Sequence, residues 1–188
     1  MKTDHPGWLS LVLLLSALPI AFVILLLMAH SQEPPTTFSS PDQQYSLQLP
    51  PGWSAETRKD SLGRERVVIS SQAATLEVRV FPATSLTSAT AIAEHDEAMY
   101  VRFRIGYMKE RLVSLPAWKP DIDVAMLEYT FLQDGKSLLG QNYYLRFAGQ
   151  QSYLLRFTGN PEEVQALQLQ IRSLVESFQP LLPTRIAT

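Results

Sequence analysis

AMLEYTFLQDGKSLLGQNYYLRFAGQQSYLLRFTGNPEEVQALQLQIRSLVESF, residues 125–178, carries the clearest structural signal in the chain. Ala125, Leu127, Tyr129 and Phe131 alternate with Met126, Glu128 and Thr130, the period of two that a sheet strand imposes on its side chains. Asp134-Gly135 supplies a tight turn, after which Tyr143, Leu145 and Phe147 alternate with Asn142, Tyr144 and Arg146. Gly149-Gln150-Gln151 turns again into Tyr153, Leu155 and Phe157. These spacings predict a three-stranded antiparallel meander with an aromatic face. The rest of the stretch is a helix whose start is unusually well specified: Asn160 as cap, Pro161 at the first helical position, and Glu162 and Glu163 at the positive end of the helix dipole. Val164, Leu167, Ile171, Leu174, Val175 and Phe178 then recur at spacings of 3, 4, 3, 1 and 3, a single stripe to be buried against the meander.

Upstream, Pro116 to Asp121 reads as a surface loop and Tyr107 to Leu115 as an ambiguous segment, perhaps-strand by pattern alone. From Ser88 to about Arg104 the spacing becomes helical, with Ile92, Met99 and Phe103 in line, Ser85 or Ser88 as caps and Gly106 closing the element. Leu76, Val78 and Val80 alternate with Glu77 and Arg79 in a strand that Pro82 ends. Tyr45 to Leu49, Ser54 to Arg58 and Arg66 to Ser70 are three further strands, the first stopped by Pro50-Pro51-Gly52-Trp53. The fold class that follows is α+β: an antiparallel sheet of about six to eight strands, an amphipathic helix inserted mid-chain, and a C-terminal helix packed on the sheet.

The N-terminal quarter has a different chemistry. Trp8 to Ala29, WLSLVLLLSALPIAFVILLLMA, is an apolar run that as a helix would reach roughly 33 Å, enough for a hydrocarbon layer of roughly 30 Å. Lys2 precedes it and the first basic residue after it is Arg58, so the positive-inside bias predicts a cytoplasmic N-terminus and an extracytoplasmic domain in a single-pass cell-membrane protein. Pro19 should kink this helix without ending it. The competing reading, a cleaved secretory signal, calls for a shorter apolar core and a small-x-small site, which Leu27-Met28-Ala29 and Ala29-His30-Ser31 match poorly. The resulting division is residues 1–7 as a short cytoplasmic segment, 8–29 as the anchor, 30–43 as a Pro/Ser/Thr-rich tether, 44–180 as the folded domain and 181–188 as a tail.

Composition narrows the functions available. Sixteen basic and 18 acidic side chains give a net charge of −2, which suggests no nucleic-acid partner. With no cysteine there is no disulfide, thiolate metal site or lipid attachment. His95 is the only histidine within the domain, so no Ser-His-Asp or Cys-His constellation is predicted, no catalytic residue or cofactor is assigned, and a hydrolase is a remote alternative. Glu94-His95-Asp96-Glu97 clusters ligand-type groups, but successive helical residues fan out about 100° apart, so the expectation is a solvated polar face with no metal. Arg102, Arg104, Lys109 and Arg111 form a basic run that could contact an anion such as a phosphate or lipid headgroup. Glu128 is placed near Arg146 or Arg156 as a cross-strand ion pair. Met126, Tyr144 and Leu154 on the outward face of the meander, with Trp118, are more apolar than solvent favours; either a second layer covers them or they form a partner surface.

The order of strand, Pro-Pro-Gly-Trp turn, hairpins, helix, meander and final helix resembles the PsbP-like superfamily, which includes the extrinsic subunit of the photosystem II oxygen-evolving complex. The matching stretches are Tyr45-Ser-Leu-Gln-Leu-Pro-Pro-Gly-Trp53, Tyr153-Leu-Leu-Arg-Phe157 and Leu174-Val-Glu-Ser-Phe178, within about Phe38 to Pro180. The resemblance implies an antiparallel sheet with packed helices and a non-enzymatic accessory or binding role, and it carries over no site residue. The functional expectation is therefore a membrane-anchored domain that docks on another envelope protein or membrane complex. The alternative is a carrier or sensor of a small apolar or amphipathic ligand.

Overall fold

The structure is a computed structural model that describes residues 34–59, 65–81, 86–148 and 151–181. The expected cytoplasmic segment, the anchor over 8–29, residues 30–33 of the tether and the tail from 182 lie outside the described residues. Among the described residues no helix is long and apolar enough to cross a membrane.

Ten strands and three α-helices make up the described domain: β1 (Thr36–Ser39), β2 (Tyr45–Leu49), β3 (Ser54–Lys59), β4 (Glu65–Ser70), β5 (Ala74–Phe81), α1 (Ala89–Met99), β6 (Met108–Leu115), β7 (Ile122–Gln133), β8 (Lys136–Phe147), β9 (Ser152–Gly159), α2 (Pro161–Ala166), α3 (Gln168–Ser177) and β10 (Gln179–Pro180). A 3-10 turn, Val101–Phe103, follows α1. Seven strands form one sheet in the order β3-β4-β5-β9-β8-β7-β6, and β1-β2-β10 form a smaller one; every pairing is antiparallel. The ambiguous segment before Pro116 is thus strand β6. The tether is shorter than the sequence suggested. Thr36 to Ser39 pair with Leu49 to Ser46, because residues on β2 have an open edge that these Thr and Ser backbones can complete.

The meander is present, but its faces are exchanged between strands. Asp134 and Gly135 both take positive φ, the two-residue hairpin loop expected of Asp-Gly, and this pairs Gln133 with Lys136. Counting back, Leu127 lies opposite Asn142 and Met126 opposite Tyr143. Leu127, Tyr129 and Phe131 therefore share a face with Tyr144 and Leu154, whereas Val124 and Met126 share one with Tyr143, Leu145, Phe147 and Leu155. Both faces are buried.

The first face packs on the small sheet and on α2 and α3. Its core joins Tyr45, Leu47 and Trp53 to Leu145, Tyr153 and Phe157 and to Val164, Ile171, Leu174, Val175 and Phe178 of the C-terminal stripe, with Leu167 partly buried beside them. The stripe is divided between two helices, with Leu167 as a one-residue break at φ −91° and ψ 5°. Asn160 caps the first as expected, its side chain accepting from the Glu162 amide at 3.0 Å. The Pro-Pro-Gly-Trp turn is a structural clamp: Gly52 takes φ +81°, Trp53 lies edge-on to Phe157, and its Nε1 donates to Gln170 Oε1 at 2.7 Å. Each large side chain so buried is worth roughly 1.5–3 kcal/mol before ordering entropy is charged against it.

Tyrosines in these cores give the domain an alkaline limit. Burial, then the nearby Glu128 charge, pushes the Tyr143 phenol up to about 12, and burial is also the first cause raising Tyr45, Tyr129 and Tyr144. An unfolded tyrosine ionises near pH 10, so this contribution is complete below about pH 10 and is lost as pH climbs towards 12. Each fully buried phenol should subtract about 1.4 kcal/mol per pH unit above that point. Urea midpoints measured across this range should fall steeply, and a profile flat to pH 11 would contradict the burial.

Candidate functional site

Helix α1 covers the second face of the large sheet with residues Ala89, Ile92, Ala93 and Asp96, spaced i, i+3, i+4 and i+7. Its N-terminus is fixed twice: the Ser88 hydroxyl accepts from the Ala91 amide at 3.1 Å, and the Asp123 carboxylate of β7 accepts from the Ala89 amide at 2.7 Å. The helix ends at Met99, not Arg104. Phe103 then leaves the expected line, because the chain tightens into the 3-10 turn, and both Met99 and Phe103 are exposed.

Asp96 overturns the expectation of a solvated polar face. It is 2% exposed and terminates a chain of hydrogen bonds along the sheet. Arg156 Nε and the Tyr129 hydroxyl donate to Asn142 Oδ1, Asn142 Nδ2 donates to the Tyr144 hydroxyl at 3.0 Å, and Tyr144 donates to Asp96 Oδ2 at 2.7 Å. The Arg156 guanidinium lies 3.5 Å from Asp96 and 3.7 Å from Glu77. Burial and the Asp96 charge drive the Tyr144 phenol far above its ordinary range, so it serves as a proton donor to the carboxylate and not as an acid. The sequence held one usable signal for this centre: Asp96 falls four residues after Ile92, on the apolar stripe.

The partner surface proposed from sequence is not assembled. Met126 is buried in the first core with Trp118 packed against it, while Tyr144 and Leu154 are fully buried in the second core beneath α1. The error came from the face exchange at Asp134-Gly135: the helix supplies the cover, and the four residues lie on opposite sides of the sheet. Trp118 Nε1 is buried without a hydrogen-bond acceptor. Glu128 pairs with Arg111 at 3.1 Å and accepts from Gln141, not with Arg146 or Arg156.

The basic run is likewise dispersed. Lys109 pairs with Glu97 at 2.7 Å, where Tyr107 donates to the same carboxylate, and Arg111 is held by Glu128. Arg102 stacks on Phe103 with its guanidinium carbon 5.0 Å from the ring centroid, and Arg104 stacks on Phe131 at 4.4 Å. These last two have no carboxylate within ion-pair distance among the described residues. Among the described residues no group of three or more His, Asp or Glu is arranged to hold a metal ion.

What the sequence did not flag is an apolar surface on the same segment. Met99, Tyr100, Phe103, Ile105, Met108 and Leu132 are six of the seven exposed large apolar side chains among the described residues, with Phe103 at 69% and Ile105 at 77%. The segment is docked, not loose: the Leu132 amide donates to the Ile105 carbonyl at 2.7 Å, and Gly106, at φ +64°, leaves space that a Cβ would fill within 2.8 Å of Leu132. Two concavities lie elsewhere. One, of about 570 Å³, opens between the β4–β5 region and the 40–45 turn and is lined by Tyr45, Val67, Leu76, Val78 and Val80. The other, of about 620 Å³, lies on the second face beyond the end of α1.

No protein-family model matches the sequence, and no curated protein sequence matches it either. Solved structures do match in three dimensions. The solution structure of cyanobacterial PsbP (CyanoP) from Synechocystis sp. PCC 6803 has a TM-score of 0.56 at 14% identity, over 78% of this chain and 92% of that one. The Saccharomyces cerevisiae Ran-binding protein Mog1p has a TM-score of 0.55 at 8% identity, over 80% and 97% respectively. LpqN, involved in cell envelope biogenesis of Mycobacterium tuberculosis, has 0.53 at 11%, over 79% and 91%. At such identities the likeness speaks for architecture alone. The chain has the PsbP-like fold that the Tyr45–Trp53 and Leu174–Phe178 stretches of its sequence resemble.

Proposed function

We propose that this chain is an accessory binding protein, anchored in the cell membrane through residues 8–29 with its domain outside the cytoplasm, which docks on another envelope protein through the Met99–Met108 segment and Leu132. The observation that carries this reading is the concentration of exposed apolar side chains in one docked segment. Isolated exposed leucines are ordinary, but a contiguous aromatic and aliphatic patch is costly to keep in water and is characteristic of a surface that becomes covered. Arg102 and Arg104, stacked on aromatic rings and without carboxylate partners among the described residues, suit a partner whose contact surface combines apolar and acidic groups. The PsbP-like fold, also seen in the Ran-binding Mog1p, supports a binding role without naming the partner.

A photo-crosslinking amino acid placed at Phe103 or Ile105 of the full chain in its native membrane should give one reproducible protein adduct. The same probe at Leu169, equally exposed but remote in the fold, should not. No adduct from either patch position, or the same adduct from Leu169, would defeat the proposal. A second reading is favoured by the groove lined by Val67, Val78 and Val80, which has the size and apolar lining for a small amphipathic ligand. Native mass spectrometry would then show a bound mass that Val78→Arg removes.

A further inference from the structure

The second face of the large sheet changes character along its length. Under α1 it is apolar, through Ala125, Leu127, Tyr144 and Leu154; beyond the helix it carries Thr75, Glu77, Arg156 and Thr158, brought together because Thr75 pairs with Thr158 and Glu77 with Arg156. This uncovered polar end is the floor of the 620 Å³ cleft, and Arg104 and Gln133 form part of its wall. We propose that the cleft binds an oxyanion, a phosphate or carboxylate group carried by a small molecule or a lipid headgroup, between Arg104 and Arg156.

Three observations lead there. The Arg156 side chain is only 6% exposed, yet only its Nε lies within ordinary hydrogen-bond distance of a protein acceptor, Asn142 Oδ1 at 3.2 Å. Its two terminal nitrogens stand 3.7 and 3.5 Å from Glu77 and Asp96, beyond the 2.7–2.9 Å of a charge-assisted hydrogen bond. A nearly buried guanidinium with loosely matched terminal donors beside a cleft is a positive floor that water or an anion must complete. The second observation is Arg104, whose face is occupied by Phe131 at 4.4 Å. Stacking leaves the N–H groups at the guanidinium edge directed away from the ring, as a fork for a bidentate oxyanion. The third is the charge balance: Glu77 is the one carboxylate lining the cleft among the described residues, and Arg79 sits on it at 2.9 Å, so Arg104 remains in excess. Thr75 and Thr158 add neutral donors at the floor, which suits phosphate and carboxylate alike. The volume exceeds that of a bare ion, so the anionic group is carried by a larger molecule. This site is separate from the protein-docking patch proposed above, and each can fail without the other.

The test uses the full chain in neutral detergent. Its unfolding midpoint should rise with inorganic phosphate above the rise in sodium chloride of equal ionic strength, or with phosphatidylglycerol, but not phosphatidylcholine, added to the micelles. Arg104→Gln should weaken whichever response is seen by on the order of tenfold in apparent affinity. Arg102→Gln, stacked on Phe103 outside the cleft, should leave it unchanged. Because Arg104 is partly exposed, its replacement leaves the fold intact, which circular dichroism would verify; Thr158→Val supplies a second probe of the same cleft. A phosphate response identifies a soluble ligand, and a response to phosphatidylglycerol alone identifies a headgroup. No Arg104-dependent response to either overturns the site.

Discussion

Replacing Leu174 with Asp should leave the domain unable to fold. Leu174 is fully buried, on the turn of α3 that carries Ile171 and Val175 into the first core and leads to Phe178. Phe178 is itself ringed by Tyr45 at 5.3 Å, Phe147 at 6.3 Å and Tyr153 at 4.9 Å, so this helix end joins the small sheet to the large one. The substitution removes the transfer energy of a buried leucine, about 2–5 kcal/mol including the cavity, and adds the several kcal/mol needed to bury an unpaired carboxylate or to protonate it. A domain of this size is stable by about 5–15 kcal/mol, so the sum consumes most or all of it. Loss of the cooperative urea transition and rapid proteolysis after export are the expected readouts. Leu169→Asp, on the exposed side of the same helix, should change stability by no more than about 0.5 kcal/mol. If the two variants behaved alike, the packing of α3 described here would be wrong.

The second large effect is expected at Asp96. Asp96→Ala leaves the Tyr144 hydroxyl without its acceptor and removes one of the two carboxylates beside the buried Arg156, so a loss of about 3–5 kcal/mol is expected. Asp96→Asn retains an oxygen for Tyr144 while discarding the charge. The difference between the two variants in urea denaturation therefore separates the hydrogen bond from the ion pair. Pairing Asp96→Asn with Tyr144→Phe extends the comparison, because the double variant removes donor and charge together. An Asp96→Ala cost below about 1 kcal/mol would show that the network contributes nothing net, and that its carboxylate is effectively solvated.

These two residues also mark how far the sequence could be read. The role of Leu174 was visible in the chain, because a helical stripe that begins with Asn-Pro-Glu-Glu has one apolar face and the core is where such a face goes. The role of Asp96 was not, because Glu94-His95-Asp96-Glu97 looks alike at every position until the neighbouring sheet shows which of the four it covers. The meander shows an intermediate case. Its strands were evident, and the two-residue loop at Asp134-Gly135 fixes Leu127 opposite Asn142 by counting alone. With both sides of β7 and β8 apolar, alternation could not say which set faced which helix, and the count along the turn was needed to assign the faces.

The sequence alone determined the order and type of most elements, the cap at Asn160, the clamp at Pro50-Pro51-Gly52-Trp53 and the PsbP-like resemblance, because each rests on periodicity or on the conformational preferences of neighbouring residues. Tertiary structure alone decided that Thr36 to Ser39 join the small sheet, that Met126 and Tyr144 lie on opposite sides of the large one, and that Arg104 meets Arg156 across a cleft. Those are relations between residues far apart along the chain, set by strand order and by where α1 stops covering the sheet. No local pattern encodes them, because the energy that selects them resides in the packing of whole faces.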